Sequence, residues 1–414
     1  MTKLGEVARP RLNRAGLLQK LQNSALAVAV ITLIGYLIIF ALFYRIGPDL
    51  RNFAFIGQPF ITRSTVSPVI KFDPGYHYLE YGYDSQYFYF IALDPVNAHY
   101  YFEEVATYRY TRILYPMVAR LLALGNPDWI PLTLVLVNLL AVTLGTWAMA
   151  AWCRLHKLSP WYALVYAFFV GQVMSFTRDL SEVLAYALLA LAIYIFSRWP
   201  EKILWAGLLF GLSALARETT LLFSAFYALR LFWQSRVRVG VVQALLITSV
   251  FGLLVFGPTV LWRIFLLNWQ GSLGLETNAT LLQIPLLGLY KLYPFKPENL
   301  EVVQAVLVPA AICTAVVLWT MWRDRTARTS LELWLLLLNS VVFALMLDPI
   351  RLIELYGAAR ISLGMVVAAI YSLPYIKGRA WFYLCAGLWL TPTLIFVLSP
   401  AVTFLDALRK VRRA

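Results

Sequence analysis

Charge is scarce in this chain: Asp, Glu, Lys and Arg make up 14% of its 414 residues, whereas 61% are hydrophobic and the mean hydropathy is +0.71. That balance excludes a soluble globular domain of ordinary composition and implies an all-α polytopic membrane protein. Cysteine is scarce too. Cys153, Cys313 and Cys385 lie far apart, in or at the ends of apolar stretches, with no Cys-x-x-Cys and no neighbouring His. The pattern implies neither a disulfide framework nor a zinc site. Low-complexity tracts are missing, as are the matched, broken segments that many inverted-repeat transporters carry in two halves. No cleavable signal peptide is expected, because the first apolar stretch is a full span long and no small-residue cleavage motif follows it.

The formal net charge is nevertheless +14. In a soluble protein this would suggest nucleic acid, but here the bases sit in short clusters between apolar stretches, where they set orientation. Nucleic-acid binding is therefore excluded, and the lipid bilayer is the expected surrounding. Residues 1–23 carry Lys3, Arg9, Arg11, Arg14 and Lys20 against Glu6 alone, which places this segment on the cytoplasmic side. Residues 24–46 then form the first span. Residues 47–128, rich in Pro, Gly, Tyr and acids, form a large external loop with no stretch long and apolar enough to cross. Within it, 108–124 reads as an interfacial helix bearing Arg109, Arg112 and Arg120, with Pro116 inside.

Residues 129–400 read as a bundle whose spans fall at 129–152, 160–177, 180–197, 203–216, 219–234, 240–262, 302–322, 331–347, 359–376 and 381–400, which brings the total to about eleven. The expected cytoplasmic connections carry Arg154, Lys157, Arg198, Lys202, Arg230, Arg236, Arg238, Arg323, Arg325, Arg328, Lys377 and Arg379. Their only acids are Glu201 and Asp324, with Glu332 just inside the next span. A basic tail, 401–414, breaks the alternation by falling outside if the count is eleven. A second external loop, 263–300, holds a short apolar piece at 281–290 that could dip into the interface.

The loop stretch from Gly82 to Pro95 puts two carboxylates among aromatics beside a membrane. Asp84 follows a Gly-Tyr turn and precedes a run free of Gly and Pro until Pro95, so a short helix should start at Asp84 and stop at Asp94-Pro95. Tyr87, Phe88 and Ile91 share the stripe below Asp84, and a helix lying at the bilayer surface is expected. Asp84 is either an N-cap or a general base. Four further charge clusters fall on the same outer side: Arg178-Asp179 with Glu182, Arg217-Glu218, Arg263, and Asp348, Arg351, Glu354 and Arg360. Singly, each reads as a neutralised hairpin. Together, cations and carboxylates gathered at one mouth suit a phosphate-bearing lipid.

The stretch Gly82-Tyr83-Asp84-Ser85-Gln86-Tyr87-Phe88-Tyr89, continuing to Asp94-Pro95, resembles a Gly-Tyr-Asp-Gly-Gln-aromatic-Tyr-Tyr pattern of the GT-C superfamily of integral membrane glycosyltransferases, in bacterial members assigned to cell-surface glycopolymer formation. Leu215-Ala216-Arg217-Glu218 is similar to an Arg-Glu turn of that group, and Glu182 matches an acid that starts a span in several branches. Ser85 replaces the usual Gly, and no Asp-x-Asp is present. The resemblance implies transfer of a sugar from a polyprenyl-phosphate donor to a hydroxyl of a glycan, lipid or protein at the external face of a bacterial plasma membrane, with inversion. Asp84 would be the general base and Asp94 a second candidate. Tyr83, Gln86, Tyr87, Arg178, Glu182, Arg217, Glu218, Arg263, Arg351 and Arg360 would contact substrate, with Arg217 and Glu218 acting as a unit. No cofactor is implied, although a divalent metal is compatible with the pattern. The alternatives are a secondary transporter or lipid flippase of the cell envelope, or a non-enzymatic subunit of an envelope complex.

Overall fold

The computed structural model describes residues 24–58, 66–80, 82–102, 106–274, 287–291, 297–347, 352 and 355–411. Among them there is no strand; Gly57 and Leu79 form one isolated parallel bridge, and the architecture is helical. Helix α1 spans Ala25–Ile46, capped by the Ser24 hydroxyl, which accepts the Ala27 N–H, and followed by Gly47-Pro48. The loop contributes α2 (Ser85–Leu93), α3 (Ala106–Tyr110) and α4 (Leu114–Leu122). The bundle comprises α5 (Ile130–Leu155), α6 (Ala163–Phe168), α7 (Val170–Thr177), α8 (Glu182–Arg198), α9 (Ile203–Ala216), α10 (Leu221–Val239), α11 (Val241–Gln270), α12 (Val308–Arg323), α13 (Leu331–Ser340), α14 (Leu355–Ile361), α15 (Leu363–Ser372) and α16 (Ala380–Val411). Helix α8 packs against α5 and α9, α9 and α10 against α11, and α1 against α5.

Five helical stretches are long and apolar enough to cross a membrane: Ala25–Ile46, Pro127–Leu155, Val241–Gln270, Asn299–Arg323 and Ala380–Ser399. A sixth arises if Leu355–Ile361 and Leu363–Tyr375, bent by 41°, count as one. These make the chain a multi-pass membrane protein. Helix occupies all eleven stretches expected from hydropathy, but the remainder are short, broken or charged. Helix α8 has 17 residues, α9 has 14 and α13 has 10, and α10 ends in Arg236 and Arg238. The stretch expected at 160–177 is broken at Phe169, whose ψ is 136°. The carbonyls freed there are taken up by neighbours: Ala167 O accepts the Tyr36 hydroxyl at 2.5 Å and Phe168 O the Thr393 hydroxyl at 2.7 Å. At the other end of the chain, α16 runs on through most of the expected tail. Residues 1–23 lie outside the described residues, as does the expected dip at 281–290 except for the helical Leu287–Lys291.

The loop corrects two expectations. Helix α2 begins and ends where expected, its last turn closed by the Asp94 N–H on Phe90 O. It does not lie on a surface, however: every residue but the half-buried Tyr87 is buried. Apolar residues all around a helix call for cover on every side. The polar contacts lock it in place. The Ser85 hydroxyl donates to Ala54 O at 2.8 Å, and Gln86 Oε1 accepts the Gly57 N–H at 3.1 Å. Arg120 Nη1 closes the far end by donating to Ala92 O and Leu93 O at 2.8 and 2.6 Å. The second expected surface helix, 108–124, is two pieces, α3 and α4, with a turn at 111–113 between them. Pro116 falls in the first turn of α4, where its missing N–H leaves no hydrogen bond unmade. The Trp262 indole of α11 donates to Tyr110 O at 2.7 Å and fixes α3 to the bundle.

Helices α7 and α14 meet at a glycine. A Cβ on Gly171 would sit 2.4 Å from Ala359 O and 2.6 Å from Ala359 C, backbone atoms next to Arg360 that cannot swing aside. Gly171→Ala is therefore expected to cost about 1–3 kcal/mol of stability by forcing the helices apart. Thermal unfolding in detergent checks this, and a variant as stable as wild type would mean the contact is not tight.

Candidate functional site

The start of α8 and the ends of α9 and α14 converge on α2 and α3. Asp84, expected as an N-cap or a base, makes no capping hydrogen bond. Its carboxylate is gripped from both sides instead: Oδ1 accepts Arg109 Nη1 at 2.9 Å and Oδ2 accepts Arg360 Nη2 at 2.9 Å. Burial alone would raise its pKa, but Arg109 and then Arg360 outweigh that effect and hold the carboxyl below the usual carboxylate range. The Arg109 guanidinium also lies 4.1 Å from the centre of the Tyr87 ring.

Behind Asp84, the fully buried Glu182 opens α8, where the helix N-terminus favours a negative charge. Its Oε1 is 2.9 Å from Arg217 Nη1 and 3.5 Å from Arg360 Nε. Arg360 thus bridges two carboxylates. The expected Arg217-Glu218 unit is absent, because the two residues point to different partners. Glu218 accepts both Arg112 Nε (3.0 Å, on Oε2) and Arg112 Nη2 (2.6 Å, on Oε1), a two-point pairing of carboxylate and guanidinium. Burial pushes the Glu218 carboxyl up, but Arg112 and then Arg217 bring it below its usual range. Arg112 Nη2 donates to the Tyr108 hydroxyl as well.

Arg178 and Asp179, expected to neutralise one another, do not pair. The Arg178 guanidinium lies 3.8 Å from the Tyr356 ring centre, 5.1 Å from that of Phe55 and 5.2 Å from that of Tyr83. Asp179, at a φ of 43°, buries both carboxylate oxygens beside the Tyr115 hydroxyl, with no well-aligned hydrogen bond among the described residues. Burial pushes its pKa well up, against the lowering effect of the Tyr115 hydroxyl. Five guanidiniums (Arg109, Arg112, Arg178, Arg217 and Arg360) gather with four carboxyl groups (Asp84, Asp179, Glu182 and Glu218), so the cations outnumber the carboxyls by one. Arg178 Nη1 and Arg360 Nη1 are buried donors with no acceptor among the described residues. An anion could supply acceptors to these nitrogens.

The remaining expected site residues fall elsewhere or play other parts. Asp94 accepts the Ser67 hydroxyl at 2.6 Å and the Asn97 backbone N–H and side-chain amide at 3.2 and 3.0 Å, so it closes the loop after α2 and makes no contact with the arginine cluster among the described residues. Gln86 is spent on Gly57, and a Cβ on Gly82 would lie 2.1 Å from Gln86 Oε1. Arg263 Nη1 donates to Leu273 O at 2.8 Å, away from the cluster. Arg351, Asp348 and Glu354 lie outside the described residues. Arg109, Arg112 and Tyr108 joined the site unforeseen; the three-residue spacing that puts both arginines on one helical face was the available signal. Among the described residues no three of His, Cys, Asp and Glu gather as metal ligands. Comparison with known proteins finds no matching family model, no curated relative and no matching solved structure.

The direction of the Asp84 shift sets a pH window. Its folded pKa lies below the unfolded value of about 4, so the pairing stabilises fully above about pH 4 and is lost as pH falls through the folded value. The melting-temperature difference between wild type and Asp84→Asn is expected to hold from pH 7 to 5 and to shrink only below about pH 4. A difference that disappears between pH 7 and 5 would show that Asp84 is not held ionised by its arginines.

Proposed function

We propose that this chain is a membrane glycosyltransferase of the GT-C kind, moving a sugar from a polyprenyl-phosphate donor to an acceptor hydroxyl at the outer face of the membrane. The observation that carries the proposal is a carboxylate held between two guanidiniums beside two buried, acceptor-less guanidinium nitrogens, Arg178 Nη1 and Arg360 Nη1. A phosphate supplies the acceptors those nitrogens lack, and the carboxylate supplies a place for a proton. The acceptor oxygen attacks the anomeric carbon, its proton passes to Asp84, and the bond from that carbon to the phosphate oxygen breaks with inversion. The charge growing on the departing lipid phosphate is met by arginine donors fixed in advance.

In the resting pairing Asp84 is a weak base, because two cations stabilise its ionised form. A donor phosphate that draws Arg109 and Arg360 toward itself weakens both hydrogen bonds to Asp84 and raises its basicity as the donor settles. Tyr83 and Tyr87 flank this point and form aromatic walls suited to a sugar face. The neighbouring apolar cavity of about 310 Å³, between the end of α1 and Phe53, Phe55, Tyr76 and Leu79, is a place for the start of an isoprenoid chain. A transporter would place ionisable groups near span midpoints, whereas the ion pairs among the described residues lie at the ends of the bundle.

Asp84→Asn is expected to cut transfer about a hundred- to ten-thousandfold at an unchanged protein level, the usual worth of a general base. Asp94→Asn should lower protein stability more than the rate per folded molecule. The check is recovery of envelope glycan, and loss of accumulated lipid-linked sugar, in cells whose only copy carries each variant. Near-normal glycan with Asp84→Asn would end this reading of the loop.

A further inference from the structure

The opposite end of the bundle holds a second concentration of cations. Helix α8 finishes there at Arg198, α5 at Leu155 and α10 at Val239, about 25 Å from Glu182 at the rise of an α-helix. Their ends enclose a cavity of about 690 Å³, a volume typical of small-ligand sites. Arg198, Arg230, Arg238 and His156 line it together with Ser197 and Ser235, and no carboxylate is among its described lining residues. Arg230 is paired on its far side with the buried Glu332, which fixes it at the cavity edge. Arg198 and Arg238 have no ion-pair partner among the described residues.

The surroundings are apolar on one side only. Leu155, Val239, Val241, Val242, Leu245 and Leu246 are exposed next to the cavity, at the start of a helix long enough to span a bilayer. A cavity lined by guanidiniums that opens onto an apolar flank matches a phosphate attached to acyl chains. We propose that it binds a phosphate group, presented as the headgroup of an anionic phospholipid, with Arg198 and Arg238 as its principal donors. Free phosphate shares that chemistry without using the apolar flank. The proposal does not depend on the activity assigned to the other end of the bundle.

Full-length protein, delipidated in a nonionic detergent, can be titrated with short-chain phosphatidylglycerol, short-chain phosphatidylcholine and inorganic phosphate, with retained ligand read by native mass spectrometry and stabilisation by thermal unfolding. Phosphatidylglycerol is expected to bind at least about tenfold more tightly than phosphatidylcholine. Arg198→Gln with Arg238→Gln should remove that preference, whereas Arg154→Gln with Arg325→Gln, an equal charge loss at exposed positions outside the lining, should keep it. All four positions are exposed, so both variants should fold, and their melting curves check that they do. Inorganic phosphate as effective as the lipid would support the phosphate site and overturn its lipid source. No preference for the anionic lipid, or equal loss in both double variants, would overturn the site.

Discussion

The Asp84 carboxylate, held between Arg109 and Arg360, ties together parts of the chain that lie 25 and 276 residues away from it. The grip passes through Arg360 to Glu182 and from Glu182 to Arg217. One chain of charges therefore docks the loop helix α2 and the short helix α3 onto the start of α8 and the ends of α9 and α14. Around it, the apolar side chains of α2 form a cluster of their own with Ile130, Leu134 and Val137 of α5. Packing positions the loop, and the ion pairs set its register.

Stability alone is a poor reason for such a network. Taking several charges out of water costs more than well-packed apolar residues of similar size would, unless every donor and acceptor is satisfied. Here they are not. Both Glu182 oxygens lack a well-aligned hydrogen bond although Arg217 is within 2.9 Å, and three arginine nitrogens, Arg178 Nη1 and Arg360 Nε and Nη1, are in the same position. On the proposed reading, guanidinium nitrogens left without acceptors in a cluster where cations outnumber carboxyls are where an anion would bind. Its internal carboxylate can then be read as a stand-in for the ligand, occupying two guanidiniums until a phosphate competes for them.

Much of the frame was legible in the sequence. Apolar runs located the helices, the first over 24–46, and Asp84 and Pro95 bounded α2, because such signals act over a few residues. Pairing was less legible. Arg217 and Glu218 are adjacent and of opposite sign, which suggests mutual neutralisation, yet the extended backbone at Arg217 sends the two side chains to partners on α8 and in the turn between α3 and α4. Arg109 and Arg112 suggested a surface helix because their inward partners lie far along the chain. The burial of α2 was hidden for a related reason: an aromatic-rich helix reads alike at an interface and in a core. The break at Phe169 has no Gly or Pro at the break itself, and only its tertiary partners Tyr36 and Thr393 account for the freed carbonyls. Of the eleven expected spans, five, or six with the bent pair, are helices long and apolar enough to cross a membrane among the described residues, because hydropathy alone does not distinguish a short buried helix from a span.

The central claim is that Asp84 and a donor phosphate compete for the same arginines. Equilibrium binding of a polyprenyl monophosphate to the purified full-length protein, compared between wild type and Asp84→Asn, tests it most directly. Removing the competing charge is predicted to tighten binding about three- to tenfold, of the order expected for one partly screened charge pair. Unchanged or weaker binding to a folded Asp84→Asn protein would contradict the account, because the arginines would then serve Asp84 alone.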